Sequence, residues 1–365
     1  MSRLRIAVLA GGRSSEHEVS LASARSVIAG LEAAGCEVVP MLIDRSGRWE
    51  VVEGPAALTP RSDAPALLQP DATPPAHGAV ALSPGAGARA LSASASIGDV
   101  DVVFPVLHGP YGEDGTIQGL LETLGVAYVG AGVLAAAATM DKDVCKRLVA
   151  GAGIAVVPSL TLLDRAGDRA AGRVEARVEG ELGWPVFVKP ASLGSSVGIS
   201  KVHGPAGLEA ALELAFRHDR KVLVEAFIAG RELEVGVLGN DDPEASVVGE
   251  IVPHAEWYDY AAKYDEGGSE ISIPADLPEP LAGVVRETAL TAFLALGITG
   301  MARIDFFLSA DGRLYLNEIN TIPGFTSTSV YASLFAASGV PYPELLARLA
   351  ELALARKASD ARYRH

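Results

Sequence analysis

The stretch that decides the fold runs from Gly300 to Thr328 and contains Met301-Ala-Arg303-Ile-Asp305, Ser309-Ala-Asp311-Gly312, Leu316-Asn317-Glu318-Ile-Asn320 and Pro323-Gly324-Phe325. Asp-Gly between two apolar runs is the strongest short-range signal for a β-hairpin. A two-residue turn at Asp311 and Gly312 places Asp305 opposite Glu318, and it places Arg303 opposite Asn320. The segment is therefore predicted to be a hairpin with four polar residues paired across it.

These four side chains are predicted to lie on one face, because residues two apart on a strand share a face. Phe307, Leu314 and Leu316 are expected to continue that face in apolar form. Two opposed carboxylates destabilise a sheet unless a cation lies between them. Carboxylate and amide oxygens suit Mg²⁺, which usually shares its protein sites with substrate phosphates. Asp305, Glu318 and Asn320 are therefore the candidate metal ligands, and the alternative is a solvated hairpin end.

Composition bounds the class of protein. The chain has 365 residues, of which 49% are hydrophobic and 21% charged, so two or three lobes with substantial cores are expected. The formal net charge of -15 argues against nucleic-acid or anionic-membrane partners, which require basic patches. Cys36 and Cys145 are the only cysteines, which excludes a disulfide framework and fits a reducing compartment. No signal peptide or membrane-spanning run is recognised, so a cytoplasmic location is predicted.

The amino-terminal part is predicted to alternate strands and helices. A strand over Arg5 to Ala10 leads through Gly11-Gly12 into a helix that ends near Leu31. Further strands are predicted over Val38 to Ile43 and over Val100 to Leu107, and the latter ends in the loop that starts at His108. Polar loops at the carboxyl ends of strands favour a shared ligand crevice, although such loops are plain turns about as often.

The middle of the chain changes in composition. Residues 45–98 are rich in Ala, Pro, Gly and Ser and are predicted to form an insertion with one hairpin and no chemistry. A helix from Met140 through Ala150 and a strand from Val156 to Leu162 are expected to follow. Further on, a helix is predicted over Val330 to Ala337, and the tail after Leu354 is predicted to be a short helix or a frayed end.

A candidate phosphate-binding loop follows Lys189, which emerges from the apolar run Val186-Phe-Val. The loop Gly194-Ser195-Ser196-Val197-Gly198 has small residues that let backbone N–H groups approach an anion, and the lysine adds a point charge. The alternative is a flexible Gly/Ser turn. The next apolar run contains Glu225 and is followed by Glu232, a pattern suited to reading adenine and its ribose.

In order and spacing, these motifs resemble the D-alanine:D-alanine ligase family over nearly the whole chain. The resemblance rests on Gly11-Gly12 with Glu16, His108-Gly109 with Glu113-Asp114-Gly115, Lys189-Pro190, Gly194 to Gly198, Tyr258-Asp-Tyr260-Ala-Ala-Lys263-Tyr264, Arg303-Ile-Asp305, and Asn317-Glu318-Ile-Asn320 through Gly324. It implies an α/β ATP-grasp fold with a Rossmann-like lobe (1–139), a central lid lobe (140–230) and a carboxyl-terminal lobe (231–365). It also implies ATP-dependent joining of two D-alanines through an acyl phosphate for peptidoglycan precursor synthesis.

The resemblance assigns the nucleotide and metal sites residue by residue. Asp305, Glu318 and Asn320 would bind two Mg²⁺ ions, with Mn²⁺ as a possible substitute. The residues that would contact ATP are Lys142, Lys189, Ser196, Val197, Glu225, Ala226, Phe227, Ile228, Glu232, Lys263 and Asn317. Ala226 stands where the family often has lysine, so recognition of the base would rest more on the backbone and on Glu225.

The resemblance likewise assigns the D-alanine sites. Glu16 would hold the ammonium of the first D-alanine, with His108 nearby, although a structural histidine is the equally weighted alternative for His108. Arg303 and the Gly324 N–H would stabilise the oxyanion. Ser329 and the Val330 N–H would bind the second carboxylate.

Glu16, Ser195 and Tyr264 would form a hydrogen-bonded triad that joins the amino-terminal lobe, the lid and the loop over Tyr258 to Tyr264. Tyr264 stands where the ester-forming relatives tend to have phenylalanine, which favours a peptide product over an ester with D-lactate. The rival hypotheses are another ligase of the same fold and a nucleotide-binding regulatory protein. A homodimer is implied by the resemblance.

Overall fold

The computed structural model describes residues 3–58, 100–165, 171–194, 196–253 and 269–363. Its strands form three sheets that follow one another along the chain. The first sheet is largely parallel, and the other two are antiparallel. This mixture confirms the predicted α/β class.

The first sheet has the strand order β3-β2-β1-β4-β5. Its strands are β1 (Arg5–Gly11), β2 (Glu37–Ile43), β3 (Trp49–Val51), β4 (Val102–Val106) and β5 (Ala127–Tyr128). Alternate residues of β1 enter different cores, Ile6 and Val8 on one side and Ala7 and Leu9 on the other. A strand covered on both faces needs an unbroken apolar run, and β1 has one.

Helix α1 (His17–Ala33) packs on one face of this sheet, and α2 (Thr116–Thr123) packs on the other. Helices α3 (Val133–Met140) and α4 (Lys142–Gly151) follow along the chain. The predicted helix from Met140 corresponds to α4, where Asp141 caps the first turn by accepting the Val144 N–H at 3.1 Å. The preceding α3 was not predicted, because its alanine-rich sequence has no polar face to reveal the helical period.

The second sheet has the order β6-β9-β7-β8. Its strands are β6 (Ser159–Leu163), β7 (Val186–Pro190), β8 (Ser200–Val202) and β9 (Lys221–Ala226). Helix α5 (Ala171–Arg177), the π-helical turn Val178–Leu182 and α6 (Leu208–Phe216) belong to the same stretch of chain. Because β7 ends at Pro190, Lys189 lies at the point where the predicted phosphate loop begins.

The third sheet has the order β12-β11-β10-β13-β14. Its strands are β10 (Gly230–Gly239), β11 (Glu244–Pro253), β12 (Ser269–Ser272), β13 (Gly300–Ser309) and β14 (Leu314–Asn320). One core joins its apolar side chains to those of α3, α4 and α7 (Glu279–Ala295). Helix α4 is thereby packed against β14, which brings Lys142 to the predicted metal hairpin.

The hairpin of β13 and β14 corrects the predicted turn. Ser309 N–H donates to the Arg313 carbonyl at 2.9 Å, so the turn has three residues, Ala310 to Gly312, and Gly312 takes the left-handed conformation with φ +82°. Further along, a bulge at Asn317 adds one residue to β14. The bulge offsets the longer turn, so Asp305 still pairs with Glu318 and Arg303 with Asn320, as predicted.

The bulge also changes which apolar residues share the polar face. Before it, Leu316 pairs with Phe306 and Leu314 pairs with Leu308, and all four join the core that contains α4. The prediction that Leu314 and Leu316 continue the face of Asp305 is therefore wrong. Phe307 pairs with Tyr315 instead.

The carboxyl-terminal helices return to the first sheet. Helix α8 (Val330–Ala337) has the predicted bounds, and α9 (Tyr342–Asp360) continues through the tail after Leu354, which was predicted to be a short helix or a frayed end. Leu345 and Leu349 of α9 lie in one core with Ile6 and Val8 of β1. The first two sheets fall within the predicted lobes 1–139 and 140–230, and the third begins at Gly230, one residue before the predicted lobe 231–365. These boundaries stay a prediction.

Several other expectations are settled by the fold. Cys36 and Cys145 are free and buried, as expected of a chain without disulfides. Strand β3 pairs with β2 at the start of the predicted insertion, and residues 59–99 of that insertion lie outside the described residues. Within the described ranges, no helix is long and apolar enough to cross a membrane.

Candidate functional site

The polar face of the third sheet brings the predicted metal ligands together. Asp305 is 8% exposed and accepts two hydrogen bonds from Arg303, at 2.8 Å and 2.7 Å. Asn320 Nδ2 donates to Asp305 Oδ2 at 3.0 Å, and Glu318 faces Asp305 across the ladder. Arg303, Asp305, Glu318 and Asn320 thus form one cluster, as the sequence predicted.

Besides Asp305, Arg303 contacts another carboxylate, which the sequence analysis did not single out. Glu234 lies on β10 directly opposite Asp305, and its Oε2 is 3.3 Å from Arg303 Nε. Burial disfavours the guanidinium charge, but Asp305 and Glu234 outweigh burial and raise the pKa of Arg303 well above its ordinary value. Arg303 is therefore a fixed cation at the polar face.

Lys142 links this face to the predicted phosphate loop. Its Nζ lies 3.4 Å from Glu318 Oε2 and donates to the Leu193 carbonyl at 2.7 Å, just before Gly194. A cavity at this point is lined by Glu113, Thr139, Met140, Lys142, Leu193, Gly194, Glu318, Ile319, Asn320 and Thr321. A cation and a metal-ligand carboxylate thus face the same space beneath the loop.

Lys189 and Glu225 form a buried ion pair. Lys189 Nζ lies 2.6 Å from Glu225 Oε2, and the side chain of Lys146, which no sequence motif marked, lies 2.9 Å from Glu225 Oε1. Burial raises the pKa of the Glu225 carboxyl, but the two lysines outweigh burial and lower it below its ordinary value. Glu225 was predicted to contact adenosine, and the structure places it between two lysines.

The rest of the predicted adenine segment begins at Ala226, the last residue of β9, which is a central strand of the second sheet. The N–H groups of Ala226 and Phe227 donate to the carbonyls of Pro158 and Pro185, at 2.9 Å and 3.2 Å. Ile228 follows at the start of the connection to β10, and Glu232 pairs with Phe307 of β13. Two N–H groups of this segment therefore already donate hydrogen bonds within the protein, so fewer backbone groups remain to bind a base.

The predicted phosphate loop is described except at Ser195. Ser196 has φ 57°, an unusual backbone conformation for a residue other than glycine, and Val197 N–H donates to the Gly194 carbonyl at 3.3 Å. Asn317 lies at the bulge of β14, half-buried. Ser195, Lys263 and Tyr264, with the rest of the tyrosine loop, lie outside the described residues.

Glu16 lies where the two amino-terminal loops meet the phosphate loop. A Cβ on Gly109 would come within 2.5 Å of Glu16 Oε2 and would displace this carboxylate, and Gly109 has φ +73°, which favours glycine. A Cβ on Gly194 would lie 3.5 Å from the same oxygen. Ser14 Oγ also donates to the His108 carbonyl at 2.6 Å. The two loops therefore share a crevice, as predicted.

His108 is enclosed within this crevice. Its Nδ1 lies 3.1 Å from the Ile322 carbonyl and its Nε2 lies 3.2 Å from Ser23 Oγ. Burial lowers the pKa of the imidazole, although the nearby Glu16 raises it in part. His108 is thus a neutral side chain that joins α1 and β4 to the segment after β14, and it borders the predicted substrate position through Glu16.

The segment from Ile322 to Val330 supplies the remaining predicted residues. Phe325 packs in an aromatic cluster with Phe104 and Tyr331, with ring centroids 5.8 Å and 5.5 Å apart. Ser329 Oγ accepts the Thr326 N–H at 3.0 Å and precedes α8, whose first residue is Val330. A Cβ on Gly324 would lie 3.4 Å from Ser329 Oγ. Gly324, Ser329 and the first N–H groups of α8 are therefore close together, an arrangement suited to a carboxylate.

Glu113 fastens the His108 loop to the segment after β14. Its carboxyl accepts the Gly109 N–H at 2.7 Å and the Ile322 N–H at 3.2 Å. Burial and the neighbouring Glu16 raise the pKa of Glu113 to about 8, against the lowering effect of these N–H groups and of Lys142. The sequence analysis used Glu113 only as part of a motif and gave it no role.

We expect Glu113 to make the folded state less stable as the pH rises toward 9. The folded carboxyl has a pKa of about 8 and an ordinary value of 4.5 when unfolded, so the native state binds more protons between these values. The contribution of this group to the free energy of unfolding is largest below the unfolded-state pKa of 4.5. It is lost as the pH rises through the folded-state pKa of about 8, and the loss between pH 6 and pH 9 is about 2 kcal/mol. Denaturant unfolding of wild type and Glu113→Gln over this range should show a flatter profile for the variant. Parallel profiles would contradict the assignment.

The residues missed in sequence had weak signals. Lys146 lies four residues after Lys142 on one helix face, and Glu234 lies two residues after Glu232 on one strand. In each case the spacing places a second charged side chain on the same face of the element as the first. Neither spacing says which long-range partner the charge will meet.

Comparison with known proteins shows which proteins this chain resembles. Family models described as "D-ala D-ala ligase N-terminus" and "D-ala D-ala ligase C-terminus" match residues 5–131 and 148–351. The D-alanine--D-alanine ligase of Sodalis glossinidius is 49% identical over 99% of this chain and 98% of its own length. That of Chloroherpeton thalassium is 48% identical over 98% of each chain.

Solved structures give the same result for the fold. The D-alanine-D-alanine ligase from Coxiella burnetii superposes with a TM-score of 0.82 at 34% identity, over 99% of this chain and 97% of that one. The VanG D-Ala:D-Ser ligase from Enterococcus faecalis gives 0.79 at 35% identity, over 96% of this chain and 100% of that one. These likenesses confirm the predicted ATP-grasp fold. With both family models and relatives matched along its whole length, the chain belongs to the D-alanine–D-alanine ligase family.

Proposed function

We propose that the protein joins two D-alanine molecules into D-alanyl-D-alanine and converts ATP to ADP and phosphate, for peptidoglycan precursor synthesis. The observation that carries the proposal is the cluster of Arg303, Asp305, Glu318 and Lys142 beneath the phosphate loop, in a chain that belongs to this ligase family over its full length. The cluster provides a fixed cation, paired carboxylates and a lysine in one place, and phosphoryl transfer to a carboxylate requires groups of this kind.

In the first step, a carboxylate oxygen of one D-alanine attacks the γ-phosphorus of ATP. The bond from that phosphorus to the β–γ bridging oxygen breaks, and ADP leaves with its electron pair. Lys142 and Lys189 are proposed to contact the phosphates, where their charges oppose the negative charge that spreads over the transferred oxygens. The product is an acyl phosphate, which has the good leaving group that a free carboxylate lacks.

The polar hairpin fits a divalent cation. Asp305, Glu318 and Asn320 offer hard oxygen ligands from adjacent strand positions, and Lys142 lies near enough to place phosphate oxygens beside them. Among the described residues, no group of three His, Cys, Asp or Glu side chains is placed to hold a metal by itself. This matches Mg²⁺, which usually takes one or two carboxylates and completes its shell with water and phosphate. When bound, Mg²⁺ or Mn²⁺ would neutralise phosphate charge and orient the γ-phosphoryl group.

In the second step, the amine nitrogen of the other D-alanine attacks the acyl carbon. Its ammonium first loses one proton to water, which gives the nitrogen a lone pair. The attack turns the carbonyl into a tetrahedral oxyanion. The nitrogen then gives a second proton to water, the oxyanion re-forms the carbonyl, and the carbon–oxygen bond to phosphate breaks, so that phosphate leaves with the electron pair and the peptide remains. Arg303 and the Gly324 N–H are proposed to stabilise the oxyanion. Arg303 suits this role because Asp305 and Glu234 already fix its guanidinium, so little reorganisation is needed at the transition state.

The two D-alanines are proposed to lie on either side of this oxyanion site. Glu16 holds the first ammonium within the crevice that His108 borders, and Ser329 with the Val330 N–H holds the second carboxylate. Contacts from α1 and α9 support the segment that carries the proposed second site: Ser26 Oγ accepts the Ser327 N–H at 2.9 Å, and Tyr342 Oη donates to the Phe325 carbonyl at 2.7 Å. Substrate positions are thereby set by three separate segments of the chain.

We propose that the nucleotide lies between the second and third sheets. Glu225 to Ile228 and Glu232 would read the adenosine, and Ser196, Val197, Lys263 and Asn317 would complete the site. Ser195 and Tyr264 would tie Glu16 to loops that exclude water from the acyl phosphate, which hydrolyses readily. The position of Glu16 against Gly194 supports this arrangement, since the carboxylate already reaches the phosphate loop.

A second candidate product keeps the chemistry and changes the second substrate. One structural relative is a D-Ala:D-Ser ligase, so the fold alone does not select the dipeptide of two D-alanines. The tyrosine at 264 favours an amine over the hydroxyl of D-lactate as the nucleophile. The choice between D-alanine and D-serine therefore needs a product analysis.

The decisive experiment measures phosphate release by purified protein with Mg-ATP and D-alanine. L-alanine, D-alanine with D-lactate, and D-alanine with D-serine serve as comparisons, and each product is weighed by mass spectrometry. We expect release that depends on D-alanine and a product with the mass of D-alanyl-D-alanine. Equal rates with L-alanine would overturn the substrate, and a dominant mixed product would replace the proposed one.

We also propose that the protein is a cytoplasmic homodimer. Helices α2 and α3 contact each other and expose apolar side chains, with Leu134 79% exposed and Leu120, Leu124 and Val133 each 39% exposed. Light scattering after size exclusion should give the mass of a dimer for wild type and of a monomer for Leu134→Glu. Leu294→Glu on α7, a comparably exposed leucine, serves as the control and should remain dimeric. A monomeric wild type would contradict the proposal.

A further inference from the structure

Lys146 is a buried lysine to which the proposed reaction gives no role. It lies four residues after Lys142 on α4, so both side chains leave the same face of the helix. Lys142 reaches toward Glu318 and the phosphate loop. Lys146 is 3% exposed and reaches in the other direction, to Glu225 of β9.

The carboxylate of Glu225 has one lysine at each oxygen. Lys146 Nζ lies 2.9 Å from Oε1, and Lys189 Nζ lies 2.6 Å from Oε2. Glu225 is 3% exposed and Lys189 is 6% exposed, so the group is out of contact with bulk water. One charged lysine would neutralise the carboxylate, and a second charged lysine gives the group a net positive charge. Burial opposes that charge and lowers the pKa of Lys146, although Glu225 raises it in part. A buried group with a net positive charge is stabilised by an anion that binds beside it.

Lys189 is the member of the group that can meet such an anion. It is the penultimate residue of β7, directly before the phosphate loop, whereas Lys146 lies within a helix. If Lys189 were the only partner of Glu225, contact with a phosphate would compete with a buried ion pair. Loss of that partner would leave Glu225 charged and buried, which is strongly unfavourable.

We propose that Lys146 is a positioning residue that neutralises Glu225 and so leaves Lys189 available to the phosphates of ATP. The inference rests on the proposed function, since it assumes that Lys189 binds a nucleotide phosphate. Lys146 itself touches no substrate. Its effect passes through Glu225, whose charge it balances whether or not Lys189 is engaged by a ligand.

The test replaces Lys146 with methionine, which keeps the length of the side chain and removes its charge. In Lys146→Met, Glu225 has only Lys189 as a partner, so Lys189 is retained by the carboxylate. We expect the affinity for ADP, measured by isothermal titration, to fall about tenfold or more, the range typical of coupled groups in one network. The KM for ATP should rise in parallel, while the KM for D-alanine stays close to that of wild type.

A second substitution separates release of Lys189 from simple destabilisation. In Lys146→Met with Glu225→Gln, no carboxylate remains to retain Lys189, so loss of Lys146 should no longer weaken ADP binding. The double variant should therefore bind ADP as tightly as Glu225→Gln alone, a reference that already contains any loss of a direct contact between Glu225 and adenosine. If Lys146 only supports the fold, Lys146→Met should cost the same affinity with and without Glu225→Gln. All titrations are made well below the unfolding temperature of each variant.

Lys221→Met is the matched control. Lys221 also bridges two carboxylates, with Asp141 at 2.6 Å and Asp143 at 3.4 Å, at the start of the same helix, and it does not contact Glu225. This variant should lose stability and keep the wild-type affinity for ADP. Wild-type ADP affinity in Lys146→Met, or the same loss of affinity from Lys146→Met with and without Glu225→Gln, would overturn the inference. Failure of the wild-type protein to bind ADP would instead overturn the proposed function.

Discussion

Replacement of Arg303 by glutamine is expected to lower kcat for D-alanine-dependent phosphate release and dipeptide formation by about 10³-fold. Removal of a single oxyanion donor costs about 10²–10³-fold in rate, and Arg303 also carries the only full positive charge proposed at that oxygen. Glutamine retains a hydrogen-bond donor but cannot hold Asp305 through two parallel bonds, as the guanidinium does at 2.8 Å and 2.7 Å. The product should be followed by mass spectrometry as well as by phosphate release.

The control for Arg303 lies on the same hairpin. Arg313 follows the turn, its side chain is 73% exposed, and its partner Asp311 is exposed as well. Arg313→Gln should therefore keep nearly the activity of wild type, since exposed ion pairs contribute little. Equal loss of activity in both variants would indicate that the hairpin, and not the guanidinium, is what catalysis requires.

Loss of stability must be separated from loss of chemistry in the Arg303 variant. Removal of Arg303 leaves Asp305 and Glu234 without their shared cation, and breaking a buried ion pair in this way typically costs about 3–5 kcal/mol. Thermal unfolding should report this loss. ADP binding at low temperature should persist, because the guanidinium is proposed to act on the acyl group. An unaltered kcat in the folded variant would remove Arg303 from the mechanism.

Replacement of Glu318 by glutamine is expected to have the second large effect. Glutamine keeps the size of the side chain and removes one of the two carboxylates proposed to hold Mg²⁺, opposite Asp305. Stabilisation by the metal is worth several kcal/mol in such reactions, so kcat should fall by about 10²–10³-fold. The concentration of Mg²⁺ that gives half of the maximal rate should rise at the same time.

The measurement is phosphate release as a function of MgCl₂ at a fixed ATP concentration, with EDTA as the zero point. Asp311→Asn is the control, because Asp311 is an exposed carboxylate at the turn of the same hairpin. Its Mg²⁺ dependence should match that of wild type. An unchanged Mg²⁺ dependence in Glu318→Gln would show that the metal lies elsewhere or that Glu318 serves only Lys142.

The hairpin shows how much of a local structure the sequence pattern can predict. The alternation of polar and apolar residues identified both strands, and Asp-Gly marked the turn between them. The turn has three residues where two were predicted, and the bulge at Asn317 restores the pairing of Asp305 with Glu318. The correct pairing was thus reached through two errors that cancel. The error was exposed by Leu314 and Leu316, which lie on the opposite face.

The helices show the same limit. The amphipathic α1 was predicted to end near Leu31, and it ends at Ala33. Its polar and apolar faces follow the helical period, which made it recognisable from the sequence. Helix α3 has almost no polar residue and gave no such signal. The length of α9 was missed because its last turns pack beside the first sheet, and its sequence alone does not indicate that contact.

What the sequence by itself determined is the set of polar residues, their order, and the strands and helices that carry them, because these depend on side-chain chemistry and on periods of a few residues. Only the tertiary structure decided which charges meet. It placed Lys146 and Lys189 on Glu225, Glu234 on Arg303, and Glu113 on the backbone of Ile322. The physical reason is that a buried charge must find a partner wherever packing brings one, and packing joins residues that are far apart in the chain.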